Sequence, residues 1–247
     1  WHNHLEQTKR FDLYKSLLRI LIEQKLAYVC QCGRKQLKDG IYPGHCLEAN
    51  HPLPEFFFSE VKNRNSKLSQ HNFSIRFNLK KAKKFNLGQK AYQVIDVFRG
   101  CIKQVPETQC GDFVIWDKMD CPTYHFATVV DDILDAYPLI VRGEDLLESS
   151  GRQMALRRLM TSHQSILRFL QSFNSNLRKE EPIYAHHPLL VTKDSSVKLS
   201  KTLKSSPLQK IRLDRKDLWN EIKPFLADSK FGSKFGDENE EFLGSAA

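Results

Sequence analysis

Residues 28–46, YVCQCGRKQLKDGIYPGHC, gather three of the six cysteines of the chain, two tyrosines and a histidine among turn-forming residues. Cys30 and Cys32 are separated by one residue, Tyr42 follows after nine intervening residues, and Cys46 after three more. Gly33, Gly40, Pro43 and Gly44 supply the tight turns. Turns let thiolates that are close in sequence converge on one point, and zinc asks for about four soft or borderline donors in a tetrahedron. Three thiols leave one position, to be filled by the Tyr42 phenolate, the His45 imidazole or water. Two other readings of the same residues stand beside a metal site: small buried cysteines without a ligand role, and a transient redox pair. Cys101, Cys110 and Cys121 are scattered and read as packed or free thiols.

Composition sets the setting for this chemistry. A chain of 247 residues, 40% hydrophobic and with 16 phenylalanines, can bury a substantial core as one large domain or two smaller ones. No apolar run approaches the roughly 18 residues of a membrane span, and residues 1–27 lack the pattern of a secretory signal. A cytoplasmic, reducing location is therefore expected, where clustered cysteines point to metal before disulfide. The formal net charge of +9 fits a polyanionic partner such as nucleic acid.

The elements that must position these groups follow from periodicity. Residues 9–27 place Phe11, Tyr14, Leu17, Leu18, Leu21 and Ile22 on one helical stripe. Residues 47–71 are too irregular for a long helix. Residues 73–79 alternate as a half-buried strand; the basic run 80–90 separates it from a second strand at 92–98, with Gly100 and Pro106 marking turns beyond. Further strands fit 113–116, 139–143 and, shorter, 189–191. One or two helices are expected over 149–170, with Ser149 or Ser150 as N-cap and Leu156, Leu159, Met160, Ile166, Leu167 and Leu170 inward. Asp131 and Asp132 read as a cap or turn after an apolar run, and the tail as one amphipathic helix before a frayed end. Strands alternating with helices argue an α/β fold with a small β-rich insertion.

Four stretches taken together carry a resemblance: PTYHFATVVDD (122–132), LIVRGEDLLESSGRQ (139–153), YAHHPLLV (184–191) and VKLSK (197–201). In order and spacing they resemble the second half of the catalytic domain of glutamyl-tRNA synthetases, class I enzymes on a Rossmann-type α/β fold. The compact CxC-x9-Y-x3-C of residues 30–46 resembles more closely the zinc site of the shorter glutamyl-queuosine tRNA(Asp) synthetases, and only 46 residues follow Lys201. The resemblance thus implies a class I catalytic domain with a small zinc-binding insertion and no anticodon-binding domain. It divides the chain into a catalytic-domain helix (1–27), a zinc-binding and connective insertion with β-strands (28–110), the second half of the Rossmann-type domain (111–205) and a helical tail (206–247). The first half-domain of the family, with its HIGH-like ATP motif, would precede Trp1.

Activity and residue roles come with that resemblance. It implies ATP, with magnesium, and glutamate as substrates, and transfer of glutamate to the queuosine base in the anticodon of tRNA(Asp), by a monomer that needs no membrane. Cys30, Cys32, Tyr42 and Cys46 would hold one zinc. Lys201 would stabilise the triphosphate, with Lys198 and Ser200 shaping the closing loop, and His186 would lie near the nucleotide. Tyr124 and Arg142 would contact glutamate, an arginine fork being the group that grips a carboxylate bidentately. The residues alone leave other roles open: a solvated basic turn at 197–201, an ion pair of Arg142 with Glu144, Asp145 or Asp132, a core aromatic at Tyr124, a structural His186, and either a solvated face or an RNA phosphate contact at 80–84. Two rivals remain for the whole: a fragment of a glutamyl-tRNA synthetase charging tRNA(Glu), and a non-catalytic tRNA-binding remnant.

Overall fold

The computed structural model describes residues 5–58, 71–85 and 91–189. In chain order the elements are α1 (Phe11–Glu23), β1 (Ala27–Cys30), α2 (His45–Ala49), β2 (Ser74–Phe77), α3 (Leu79–Ala82), β3 (Tyr92–Asp96), β4 (Gly100–Gln104), α4 (Pro106–Gln109), β5 (Val114–Trp116), α5 (Tyr124–Leu134), β6 (Leu139–Gly143), α6 (Ser149–Ser162), α7 (Gln164–Gln171) and β7 (Ile183–His187). Strands β1, β2 and β5 form an antiparallel sheet in the order β1-β2-β5. The second sheet has the order β4-β3-β7-β6: β3 and β4 are an antiparallel hairpin, while β3 and β6 each run parallel to β7. Joining the parallel pair β6 and β7 takes a crossover, which α6 and α7 provide.

Apolar spacing explains the packing. Leu13, Tyr14, Leu17, Leu18 and Leu21 form the buried stripe of α1, and Phe11 meets the Trp116 ring edge-on at 5.4 Å. One core joins this helix to both sheets and to the inner faces of α5 and α6, where Phe126, Val130, Ile133, Met154, Leu156 and Leu159 lie. Side chains alternate across a strand, so Ile75 and Phe77 of β2 enter this core while Ser74 and Arg76 turn to the opposite face, toward the cysteines. On the second sheet Ile95, Leu139, Val141 and Ile183 point outward, 47, 45, 60 and 46% exposed.

Several expectations are corrected. Asp131 and Asp132 cap nothing: they sit inside α5, and buried Asp131 accepts the Tyr14 hydroxyl at 2.7 Å, Arg10 Nη1 at 2.9 Å and Gln7 Nε2 at 2.8 Å. Arg10 also pairs with Asp135 at 2.6 Å, so α1 is clamped to α5. Ser149 and Ser150 lie within α6 rather than capping it. The strand β7 at Ile183–His187 and the strands β1 and β4 are additional, while residues 190 and 191 of the strand expected at 189–191 lie outside the described residues. Both sheets draw strands from either side of residue 110: β5 pairs with β2 beside β1, and β3 and β4 share a sheet with β6 and β7. Lys198, Ser200, Lys201 and the tail helix lie outside the described residues. Among the described residues no helix is long and apolar enough to cross a membrane.

Candidate functional site

Two groupings of side chains emerge. The first is built by turns around Cys30, the last residue of β1. Asp39 and Gly40 both take positive φ, 50° and 79°, the geometry of a two-residue hairpin turn, and Lys38 and Ile41 bond across it at 3.0 and 2.8 Å. The chain thereby doubles back, and the Tyr42 amide donates to the Cys110 carbonyl at 3.0 Å. Gly111, at φ +64°, permits this approach: a Cβ there would stand 2.4 Å from the Tyr42 carbonyl oxygen. Gly44, at φ +93°, then starts α2, which carries Cys46 inward.

The donor atoms converge. The sulfurs of Cys30, Cys32 and Cys46 all lie within 4.8 Å of one another. Sulfurs around a tetrahedral zinc stand about 3.8 Å apart, given a Zn–S bond of about 2.3 Å, and Cys32 and Cys46 are separated by 3.4 Å. The Tyr42 hydroxyl lies 3.5 Å from Cys30 Sγ and 4.0 Å from Cys32 Sγ, and its oxygen accepts the Cys46 amide at 2.9 Å. His45 is exposed. Of the candidates for a fourth ligand, Tyr42 is the one gathered with the thiols. Against the cost of burial, hydrogen bonds from Tyr42, the Gln31 backbone and the two neighbouring cysteines bring the Cys46 thiol down to about 6, so one thiolate is already favoured. Burial and the Cys46 contact push Cys32 up to about 11. The donor set, its spacing and the absence of disulfides fit a structural zinc.

The second grouping surrounds Arg142 at the C-terminal end of β6. Its Nε donates to His186 Nε2 at 3.0 Å, Nη1 to Gln153 Oε1 at 2.6 Å and Nη2 to Ser150 Oγ at 2.7 Å, with the Tyr124 hydroxyl 3.5 Å from Nη1. All these acceptors are neutral. Glu144, one carboxylate that could have neutralised it, is engaged by Arg99 at 2.6 Å. A guanidinium has five N–H groups, of which Nη2 keeps one free and Nη1 spends its second only on the long 3.5 Å contact to Tyr124, so an arriving carboxylate can take the free Nη2 hydrogen and displace that weak contact. Arg142 is 9% exposed and Tyr124, at the start of α5, 44%.

His186 is fully buried, with its ring stacked on Tyr184, and its side chain supports Arg142 from behind. Because Arg142 Nε is a donor, His186 Nε2 must accept, which leaves the proton on Nδ1 facing Asp96 Oδ2 at 2.7 Å. Asp96 also accepts the backbone amides of His186, Phe98 and Arg99 at 3.0, 2.9 and 3.0 Å. Burial works against its charge, yet these donors hold the carboxyl below the usual range. Burial likewise lowers His186. Asp132 also lies in the electrostatic range of Arg142 and Arg157, and its burial raises the carboxyl to about 7.

Of the residues expected from sequence, the structure brings together Cys30, Cys32, Tyr42 and Cys46 in one place and Tyr124, Arg142 and His186 in another. Asp96, Ser150 and Gln153 were missed. The i, i+3 spacing of Ser150 and Gln153, continued by buried Arg157 at i+7 on the same face of α6, was their one signal.

A mixed sheet whose parallel strands carry an arginine fork at a carboxyl end is the arrangement of a ligand-binding α/β domain. The family of class I tRNA synthetases for E and Q, catalytic domain, matches residues 1–206, and the chain belongs to it. Among curated proteins it is 32% identical over 211 residues to a glutamyl-Q tRNA(Asp) synthetase of Pseudomonas paraeruginosa, covering 84% of this chain and 57% of that one. It is equally 32% identical over 206 residues to the protein of that name from Pseudomonas fluorescens, covering 83% and 55%. The chain thus spans a little over half the length of these relatives. A solved glutamate tRNA ligase of Elizabethkingia meningosepticum is similar at 22% identity and a TM-score of 0.47, over 81% of this chain and 37% of that one.

Proposed function

We propose that this chain supplies the amino-acid-recognising half of an enzyme that activates glutamate with ATP and transfers it to the queuosine base in the anticodon of tRNA(Asp). The observation that carries the reading is the Arg142 fork, buried, held by the neutral acceptors His186, Gln153 and Ser150 and flanked by Tyr124. The names of its relatives and the compact Cys30-Cys32-Tyr42-Cys46 cluster support the choice of acceptor.

In adenylation a carboxylate oxygen of glutamate attacks the α-phosphorus of ATP and pyrophosphate leaves, so the protein must chiefly hold the two reactants in line and stabilise charge on the phosphoryl oxygens. Arg142 fixes one carboxylate of the substrate and the Tyr124 hydroxyl stands at its edge. His186, fully buried, serves this site by orienting Arg142, while the triphosphate falls to Lys201, with Lys198 and Ser200 in a closing loop. Magnesium accompanies ATP. Zinc, when bound, braces the 30–46 loop and takes no part in the transfer. ATP and tRNA are cytoplasmic substrates, in keeping with the location expected from sequence.

Glutamate-dependent exchange of labelled pyrophosphate into ATP, followed by transfer to tRNA(Asp) with and without queuosine, tests the proposal. Exchange that survives Arg142→Lys and Lys201→Ala unaltered rules out the assigned roles. Transfer to tRNA(Glu) alone makes the protein a glutamyl-tRNA synthetase, a reading favoured by its PTYHFA wording, and RNA binding without exchange makes it a remnant.

A further inference from the structure

One buried cation beside the cysteine cluster is not accounted for by any ligand role. Arg76 lies in β2, 7% exposed, on the strand face opposite the apolar core. Its Nε donates to Cys30 Sγ at 3.1 Å, and its guanidinium carbon lies 3.8 Å from the centre of the Tyr42 ring. Nη1 donates to the Asp112 carbonyl at 2.6 Å, which fixes the plane of the group. The same arginine therefore touches two of the four proposed ligands, one at its sulfur and the other across its π face.

We propose that Arg76 is the outer partner of the metal centre, setting how tightly and with which ligands the ion is held. The inference rests on the zinc reading of the cluster. Three thiolates and a phenol oxygen around a divalent ion leave the site net negative in a buried setting, and an uncompensated buried charge is costly. A guanidinium supplies the compensating charge without competing for the metal, since it has no lone pair to offer. Its fork also orients. An N–H directed at Cys30 Sγ fixes the sulfur that ends β1, and stacking fixes the tilt of the Tyr42 ring, whose oxygen must reach the ion. An ammonium cannot do both from one position.

Arg76→Met and Arg76→Lys in the full chain, with zinc affinity measured by competition against a chromophoric chelator, test this role. Loss of an outer partner of this kind costs about 10–100-fold in metal affinity, and both variants are expected to fall in that range while binding one zinc. With cobalt in place of zinc, the thiolate charge-transfer band and the d–d spectrum should change in both, since the Cys30 and Tyr42 geometry is what Arg76 fixes. Ile75→Val, on the core face of the same strand, lowers the denaturation midpoint and is expected to leave metal affinity untouched. This separates a role toward the metal from general loosening of β2. If Arg76→Met does not fold, Arg76→Lys, which keeps charge and most of the volume, carries the comparison. A folded Arg76 variant with wild-type zinc affinity and an unchanged cobalt spectrum overturns the inference while the metal centre stands. A wild-type chain that takes up no zinc or cobalt overturns both.

Discussion

His186 Nδ1 faces Asp96 Oδ2 at 2.7 Å, with neither side chain exposed at all. The pair fixes which nitrogen of the imidazole is left to accept from Arg142, and so the direction in which the arginine fork points. Asp96→Asn turns one of the two acceptor oxygens into a donating amide, so either His186 Nδ1 and its backbone amide or the amides of Phe98 and Arg99 then face a donor. Leaving a buried donor unsatisfied costs about 1–3 kcal/mol. A loss of about tenfold or more in glutamate affinity by calorimetry is expected, together with a lower urea midpoint. Normal affinity in the folded variant would show that the pair does not steer Arg142.

Arg142→Lys keeps the charge but not the fork. An ammonium cannot occupy the His186, Gln153 and Ser150 acceptors and a bidentate carboxylate together. Glutamate affinity is expected to fall by about 100-fold, in line with the 2–5 kcal/mol lost when a buried charged contact is truncated. Titration with glutamate, and with glutamine as a control for the side chain, reads this out.

Asp132 gives a pH signature of its own. Burial raises its folded pKa to about 7, above that of an unfolded aspartate, so the folded chain prefers the protonated form. The resulting penalty is absent below about pH 4, where both states are protonated, grows as pH rises toward 7, and is full above it. Asp132→Asn should therefore stabilise the protein by about 1–3 kcal/mol at pH 8 and by nothing at pH 4. Equal effects at the two pH values would mean that ionisation is not the cause.

Asp131→Ala should be damaging through the contacts it removes. It strands the buried Tyr14 hydroxyl and frees Arg10 and Gln7, with a cost of about 3–5 kcal/mol. Denaturant unfolding measures it, and a cost under 1 kcal/mol would remove the clamp between α1 and α5 from the account of stability.

Metal removal has a covalent readout. In the zinc-loaded chain Cys30, Cys32 and Cys46 should resist alkylation while exposed Cys101 reacts; dialysis against a chelator should expose all three. Peptide mass mapping distinguishes them. Protection that persists without metal would assign it to burial alone.

Much of this was legible in the sequence, and the gaps have physical causes. The strand at 139–143 and the stripe of α1 follow from simple periods, and the cysteine loop from turn residues between thiols. Strand β1 escaped because α1 stops at Glu23 and the chain turns through Lys25 in a left-handed conformation, φ 56°, without the glycine that usually marks such a stop. Strand β4 escaped because GCIKQ has almost no apolar alternation, its place being fixed by pairing with β3. Asp131 looked like a cap because its partners in α1 lie more than 115 residues away in sequence. The support behind Arg142 comes from β3, β7 and α6, elements that only the folded sheet brings together.

The outward residues Ile95, Leu139, Val141 and Ile183 give the isolated chain an oily stripe across its second sheet. Water-shunning strips of that kind strengthen with warming and with sulfate, so light scattering from a concentrated sample should climb on heating well before unfolding begins. A glutamate at Val141, the barest of the four, should hold the solution clear.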